Sequence, residues 1–74
     1  MKVLDPVATG QSLKSLVRKK GLTTRDVMMA CNLTTTNAVT RWYRGAIMPS
    51  LDNLIIVADL LGVTMDEVVR TKEV

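Results

Sequence analysis

Arg41 and Arg44, together with Thr36, Asn37 and Thr40, gather hydrogen-bonding chemistry into one short stretch, "TTTNAVTRWYRG", from Thr34 to Gly45. The stretch contains no acid. Arginine offers a planar, permanently charged fork that suits two-point contacts, while Thr and Asn are short groups that both donate and accept. Such a set grips anions and base edges; it does not make or break bonds. The same stretch holds Trp42 and Tyr43, the only aromatic residues of the chain. Four of its twelve residues are threonine, a poor helix former because its branched β-carbon restricts χ1.

Chemistry of other kinds finds few candidates. There is no His, and the seven carboxylates are dispersed over expected helix ends. No glycine-rich loop could cradle a phosphate, and no cluster has the spacing of metal ligands. Cys31 is alone, so it cannot form an internal disulfide, and it falls on an apolar stripe, where a thiol is inert. Neither an enzyme nor a cofactor or metal requirement is expected. The lone thiol and the lack of a charged-then-apolar leader point to a soluble cytoplasmic protein. The longest apolar run, "LIIVA", is far too short for the roughly 18 residues a membrane span needs.

Charge is asymmetric along the chain. Residues 1–45 carry eight Lys/Arg against Asp5 and Asp26, a net +6, whereas residues 46–74 carry Arg70 and Lys72 against five acids, a net −3. One side suited to a polyanion and one facing away is one reading; ordinary surface asymmetry is the other.

These residues must be held by something, and the composition points to helices. An apolar fraction of 47% drawn from aliphatic side chains, without a single Phe, suits an all-α bundle better than a small barrel. Residues 1–8, containing Pro6, read as an irregular arm, with Thr9 as N-cap of a first helix. Leu13, Leu16 and Val17 give its apolar face, and Gly21 ends it. A second helix begins near Thr23 or Thr24 and turns inward on Val27, Ala30 and Cys31. Asn32 stands where the chain must turn. The third helix covers about Thr35–Arg44, Pro49 enforces a loop, and Ser50 caps a fourth helix. That fourth helix is apolar nearly all round, which predicts a buried central element. "TMDE", from Thr64 to Glu67, is a capping box opening a short fifth helix, and residues 70–74 read as a frayed polar tail.

At 100° per residue the third helix divides cleanly. Thr35, Ala38, Val39 and Trp42 share one arc; Thr36, Asn37, Thr40, Arg41 and Arg44 share the other, with Tyr43 at the seam. An anchored apolar face and an acid-free face of Thr, Asn and Arg suit a helix lying in the major groove of DNA, with Arg41 reaching a guanine. Any surface helix also has a polar face, so this helix alone leaves both readings open.

The order of "KGLTTRDV", "AVTRWYRGAIMPSLDNL" and "ADLLGVTMDEVV" resembles the helix-turn-helix domains of Cro and cI-type phage repressors, the XRE family, over about Thr9 to Val69. The resemblance implies a compact five-helix, lambda-repressor-like DNA-binding domain at residues 9–69, with its third helix in the major groove. Carried over by position, Thr36, Asn37, Thr40 and Arg41 contact bases, while Thr24, Arg25, Thr35 and Arg44 contact phosphates. The implied role is a sequence-specific transcriptional regulator of phage or prophage repressor type, acting on double-stranded DNA through a palindromic operator and as a homodimer. The alternative is a protein-binding modulator, antirepressor- or antitoxin-like, that grips a partner repressor or toxin. For either partner, the fourth helix with Met65, Val68 and Val69 is the candidate face, unless those residues are simply core. Two departures stand out. The turn "CNLTTTNAV" is one residue longer than in the most compact members, which affects the register of Thr35 to Asn37. Asn32 and Met28 stand where many members have Gly and Ala, implying a slightly wider packing.

Overall fold

The computed structural model describes residues 1–74. Five helices form: α1 (Pro6–Lys19), α2 (Thr24–Ala30), α3 (Asn37–Arg44), α4 (Leu51–Leu61) and α5 (Met65–Val68). Two short strands, β1 (Lys2–Leu4) and β2 (Thr71–Glu73), pair antiparallel with Val3 opposite Lys72. The fold is therefore the expected five-helix domain with a minor sheet added at its ends.

That sheet changes the reading of both termini. Residues 1–8 are not an irregular arm, and residues 70–74 are not frayed. Asp5, not Thr9, caps α1, accepting from the Ala8 N–H at 3.0 Å, with Pro6 at the first helical position where its fixed φ is favourable. Thr9 is instead fully buried. Its hydroxyl accepts from the Arg70 N–H at 2.9 Å and lies 3.3 Å from the Arg70 carbonyl, to which it donates.

Most stops and caps fall where side-chain chemistry predicts. Asn32 takes the left-handed conformation at φ 56°, which its short polar side chain tolerates. Thr23 and Asp26 cap α2 reciprocally, at 2.8 and 3.2 Å. Ser50 accepts from the Asn53 N–H at the head of α4. At α5 the Glu67 carboxylate accepts from both the N–H and the hydroxyl of Thr64.

The core gathers Leu13 and Val17 from α1, Val27 from α2, Val39 and Trp42 from α3, Leu54, Val57 and Leu61 from α4, and Val68 from α5. Met28, Met65 and Val69 pack half-buried against it. Truncating an anchor such as Trp42 to Ala would cost about 3–5 kcal/mol. The fourth helix is not buried all round. Leu54, Val57, Ala58 and Leu61 face in, but Leu51, Ile55, Ile56 and Leu60 are exposed, with Asp52 and Asp59 between them. A core this small can cover only one side of an apolar helix.

A helix-turn-helix surface built on α3

The position of α3 depends first on Gly10. A β-carbon there would collide with the backbone carbonyls of Trp42 and Tyr43, so α1 crosses α3 at backbone contact. Gly45 ends α3 in the left-handed conformation, φ 74°, with Val7 Cα only 2.6 Å from where its β-carbon would stand. Two glycines thus seat both sides of the helix without any side chain of their own.

Across the helix, Val39 is 0% and Trp42 3% exposed, so the inward face is fixed. Tyr43, placed at the seam by the helical wheel, is carried inward as well, at 9% exposure, because α1 lies over that side. The helix is shorter than expected by two residues. Thr35 and Thr36 belong to the turn that follows α2, and Asn37 is the first helical residue. Thr36 stands at the cap position but makes no capping hydrogen bond; the Thr35 hydroxyl accepts from the Asn37 N–H at 3.3 Å instead. The longer turn therefore puts Thr34 to Thr36 at the helix's entrance.

Asn37, Thr40, Arg41 and Arg44 project outward as a continuous exposed face. The Thr40 hydroxyl donates back to the Asn37 carbonyl at 2.9 Å, which leaves it free only as an acceptor. Thr36 is half-buried beside this face and Thr35 is exposed. Thr24 and Arg25, at the head of α2, are half-buried and exposed respectively. The eight residues singled out by sequence thus lie on α3, on the turn before it and on the first turn of α2.

Electrostatics separate this surface from the rest. The only ion pair in the molecule joins the Met1 ammonium to Glu73, at 3.5 Å. Lys14, Arg18, Arg25, Arg41 and Arg44 have no carboxylate partner. Two of these, Lys14 and Arg18 on α1, are not among the eight residues that the sequence singles out for DNA contact. Their four-residue spacing was the available signal, since it places both cations on one side of that helix.

Titration is unusual at two groups. Burial pushes the Tyr43 hydroxyl above its ordinary value, with Thr24 and Arg18 pulling it back less strongly. Burial likewise raises the Cys31 thiol, whose Sγ faces the Asn53 carbonyl at 4.0 Å. A thiol held protonated in the core is a poor nucleophile. No cluster of His, Cys, Asp or Glu is arranged to hold a metal ion, and no helix is long and apolar enough to cross a membrane.

Comparison with known families agrees with this arrangement. A helix-turn-helix family model matches residues 13–68, spanning α1 to α5. The chain belongs to the XRE-type helix-turn-helix family. Among solved structures, this family member resembles the restriction-modification controller protein C.AhdI from Aeromonas hydrophila. The two are 30% identical with a TM-score of 0.77, covering 86% of this chain and 96% of that one. It also resembles the clp gene regulator ClgR from C. glutamicum, at 27% identity and TM-score 0.75, over 85% of this chain and 80% of that one. A transcriptional regulator from Listeria innocua matches at 25% identity and TM-score 0.75, over 89% of this chain but 62% of the longer neighbour. No curated protein sequence matches the chain.

Proposed function

We propose that this XRE-type transcriptional regulator reads double-stranded DNA by laying α3 in the major groove, in the manner of a phage or prophage repressor. The observation that carries the reading is the outward face of α3. Asn37, Arg41 and Arg44 are exposed, unpaired and free of acids, while Val39 and Trp42 lock the opposite face into the core. Asn37 and Arg41 are the base-reading groups, with Thr40 as an acceptor at their edge and Thr36 at the helix entrance. Thr24, Arg25, Thr35 and Arg44 hold the flanking phosphates. The protein works in the cytoplasm and needs no cofactor.

One domain reads one half-site, so two copies would occupy a palindromic operator with half-sites ~34 Å apart. The exposed apolar residues of α4 are the surface for the second copy. The same residues support a second reading, in which the domain grips a partner repressor or toxin. Selection of bound sequences from a random duplex pool tests the choice. A palindromic motif is the expected result. An unenriched pool, with a stable complex formed instead with a larger protein, would replace the DNA reading with the protein-binding one.

A further inference from the structure

Two threonines on the contact surface are tied to the backbone of one residue, Asn37, in opposite senses. The Asn37 N–H donates to the Thr35 hydroxyl at 3.3 Å, while the Thr40 hydroxyl donates to the Asn37 carbonyl at 2.9 Å. Chemistry fixes both directions. A backbone N–H can only donate and a carbonyl can only accept, so Thr35 uses a lone pair and Thr40 uses its proton. Thr35 keeps a proton that no group of the protein takes up, and Thr40 keeps lone pairs that no donor of the protein fills. The surroundings of Thr40 preserve this state. Lys14, Arg18, Thr23, Thr24 and Tyr43 flank it in a hollow beside α3, and no carboxylate there draws the proton away. Turning the hydroxyl outward to donate would forfeit the Asn37 bond, a penalty of about fivefold in affinity.

A threonine on a recognition helix can ordinarily hydrogen-bond to either kind of base edge. Thr40 is narrowed to one. In the major groove only the amino groups of adenine and cytosine donate, whereas guanine O6 and thymine O4 accept. Phosphate oxygens also accept, which suits Thr35 and excludes Thr40. We propose that Thr40 is a one-way reader: it accepts a hydrogen bond from the exocyclic amino group of an adenine or cytosine, and discriminates against guanine and thymine on the strand it faces. The proposal rests on the DNA reading of α3 and adds the class of base edge that this position takes. Each base pair shows one amino and one keto group in that groove, so Thr40 reads which strand holds the amino base. Arg41, next in the chain, requires the opposite chemistry, because its guanidinium only donates and matches the acceptors of guanine. Thr40 and Arg41 are both exposed on the outward face of α3. Neighbouring positions of the helix therefore demand an amino base and a keto base, which fixes the orientation of the half-site beneath it.

The test compares the wild type with Thr40→Val, which keeps the branched shape but cannot accept, and Thr40→Ser, which keeps the hydroxyl. Selection from a random duplex pool is run on all three proteins. In the wild type, one position per half-site should hold adenine or cytosine on one strand. Thr40→Val should lose that preference there and nowhere else, and Thr40→Ser should retain it. On the selected duplex, replacing the amino group by hydrogen (purine for adenine, 2-pyrimidinone for cytosine) should weaken wild-type binding about three- to tenfold. Thr40→Val should be indifferent to the same replacement, and all three proteins should share one salt slope because no charge changes. Three results overturn the proposal while leaving the DNA reading intact: guanine or thymine at the Thr40-dependent position, no position that depends on Thr40, or an equal loss on the amino-free duplex in Thr40→Val. Loss of the preference in Thr40→Ser as well would assign the position to the threonine methyl and likewise overturn it. A wild-type pool without enrichment fails at the earlier step, removing the DNA reading and the one-way reader with it.

Discussion

The Thr9 hydroxyl and the Arg70 backbone meet across 61 residues of sequence, accepting from the Arg70 N–H at 2.9 Å and donating to its carbonyl at 3.3 Å. That carbonyl also accepts from the Asp5 N–H at 2.9 Å. One buried threonine therefore ties the first turn of α1 to the entry of β2. Thr9→Val keeps the shape and removes both bonds; the Arg70 carbonyl keeps the Asp5 N–H, but the Arg70 N–H is left unpaired. The expected loss is about 1–3 kcal/mol, read as a lower urea midpoint, with amide exchange accelerating first in β1 and β2.

Gly10 allows no side chain. In Gly10→Ala the new methyl meets the Trp42 and Tyr43 carbonyls, which belong to backbone and cannot rotate away. Strain of this sort costs about 1–3 kcal/mol, and each kcal/mol lowers Tm by roughly 4–8 °C in a domain of this size. Because α3 is the element displaced, DNA affinity should fall along with Tm. A variant of unaltered stability would show that α1 and α3 separate more easily than their contact implies.

Arg41 and Arg25 should separate reading from gripping. Arg41→Ala is expected to cost about 1–3 kcal/mol, roughly five- to 150-fold in affinity, and to relax preference at one base pair per half-site. Arg25→Gln should weaken all sequences alike and reduce the slope of log K against log salt by about one. Titrations on the selected duplex and on single-base variants, at several salt concentrations, distinguish the two patterns. Unchanged preference in Arg41→Ala would take that residue out of the reading set.

Ile55 is half-exposed on α4, so a charge can be introduced there without disturbing the core. Ile55→Lys should leave Tm nearly unchanged and shift sedimentation toward the monomer. Operator binding should then become weaker and less cooperative. A wild type that sediments as a monomer even on its operator would assign this face to some other partner.

Alkaline pH should destabilise the fold. The Cys31 thiol, ordinarily near 9.0, and the Tyr43 hydroxyl, ordinarily near 10.0, are both raised by burial. Each contributes fully below its unfolded value. As pH rises past that value the unfolded chain releases protons that the folded chain retains, so stability falls until the folded groups titrate too. The urea midpoint should be insensitive to these two groups below about pH 8 and decline from pH 9 upward. Cys31→Val should flatten the first part of the decline.

Local chemistry made much of the fold legible in advance. Ser50, Asn32 and Gly45 act where short-range rules place them, because caps and left-handed turns depend on a few adjacent residues. The outward face of α3 was legible for the same reason: helical geometry alone separates Arg41 from Trp42. The terminal sheet was not, since three-residue strands carry no usable period and their partners lie at opposite ends of the chain. Thr9 looks like a cap until Arg70 is brought to it. The α4 surface was misjudged because apolar content measures what a helix could bury, and the size of the core sets how much it does. The burial of Tyr43, and with it the hollow beside Lys14 and Arg18, depends on how α1 crosses α3, which only the packing decides.

The small terminal sheet has one more consequence. The Met1 ammonium donates to the Val74 carbonyl at 3.2 Å and the Val74 N–H donates to the Met1 carbonyl at 3.0 Å, so residues 1 and 74 lie side by side and a linker between them would close the backbone into a ring. A short covalent linker across that gap would demand almost no rearrangement of the native molecule. It would remove many extended conformations from the denatured chain, a gain on the order of 4 kcal/mol for a loop of this length by chain-entropy reasoning. Once the ring is closed it can be cut elsewhere, and the exposed bend at Gly62, between α4 and α5, is the natural place for new ends. A permuted chain of that kind would keep the α1–α3 crossing while reversing the order in which its halves are made.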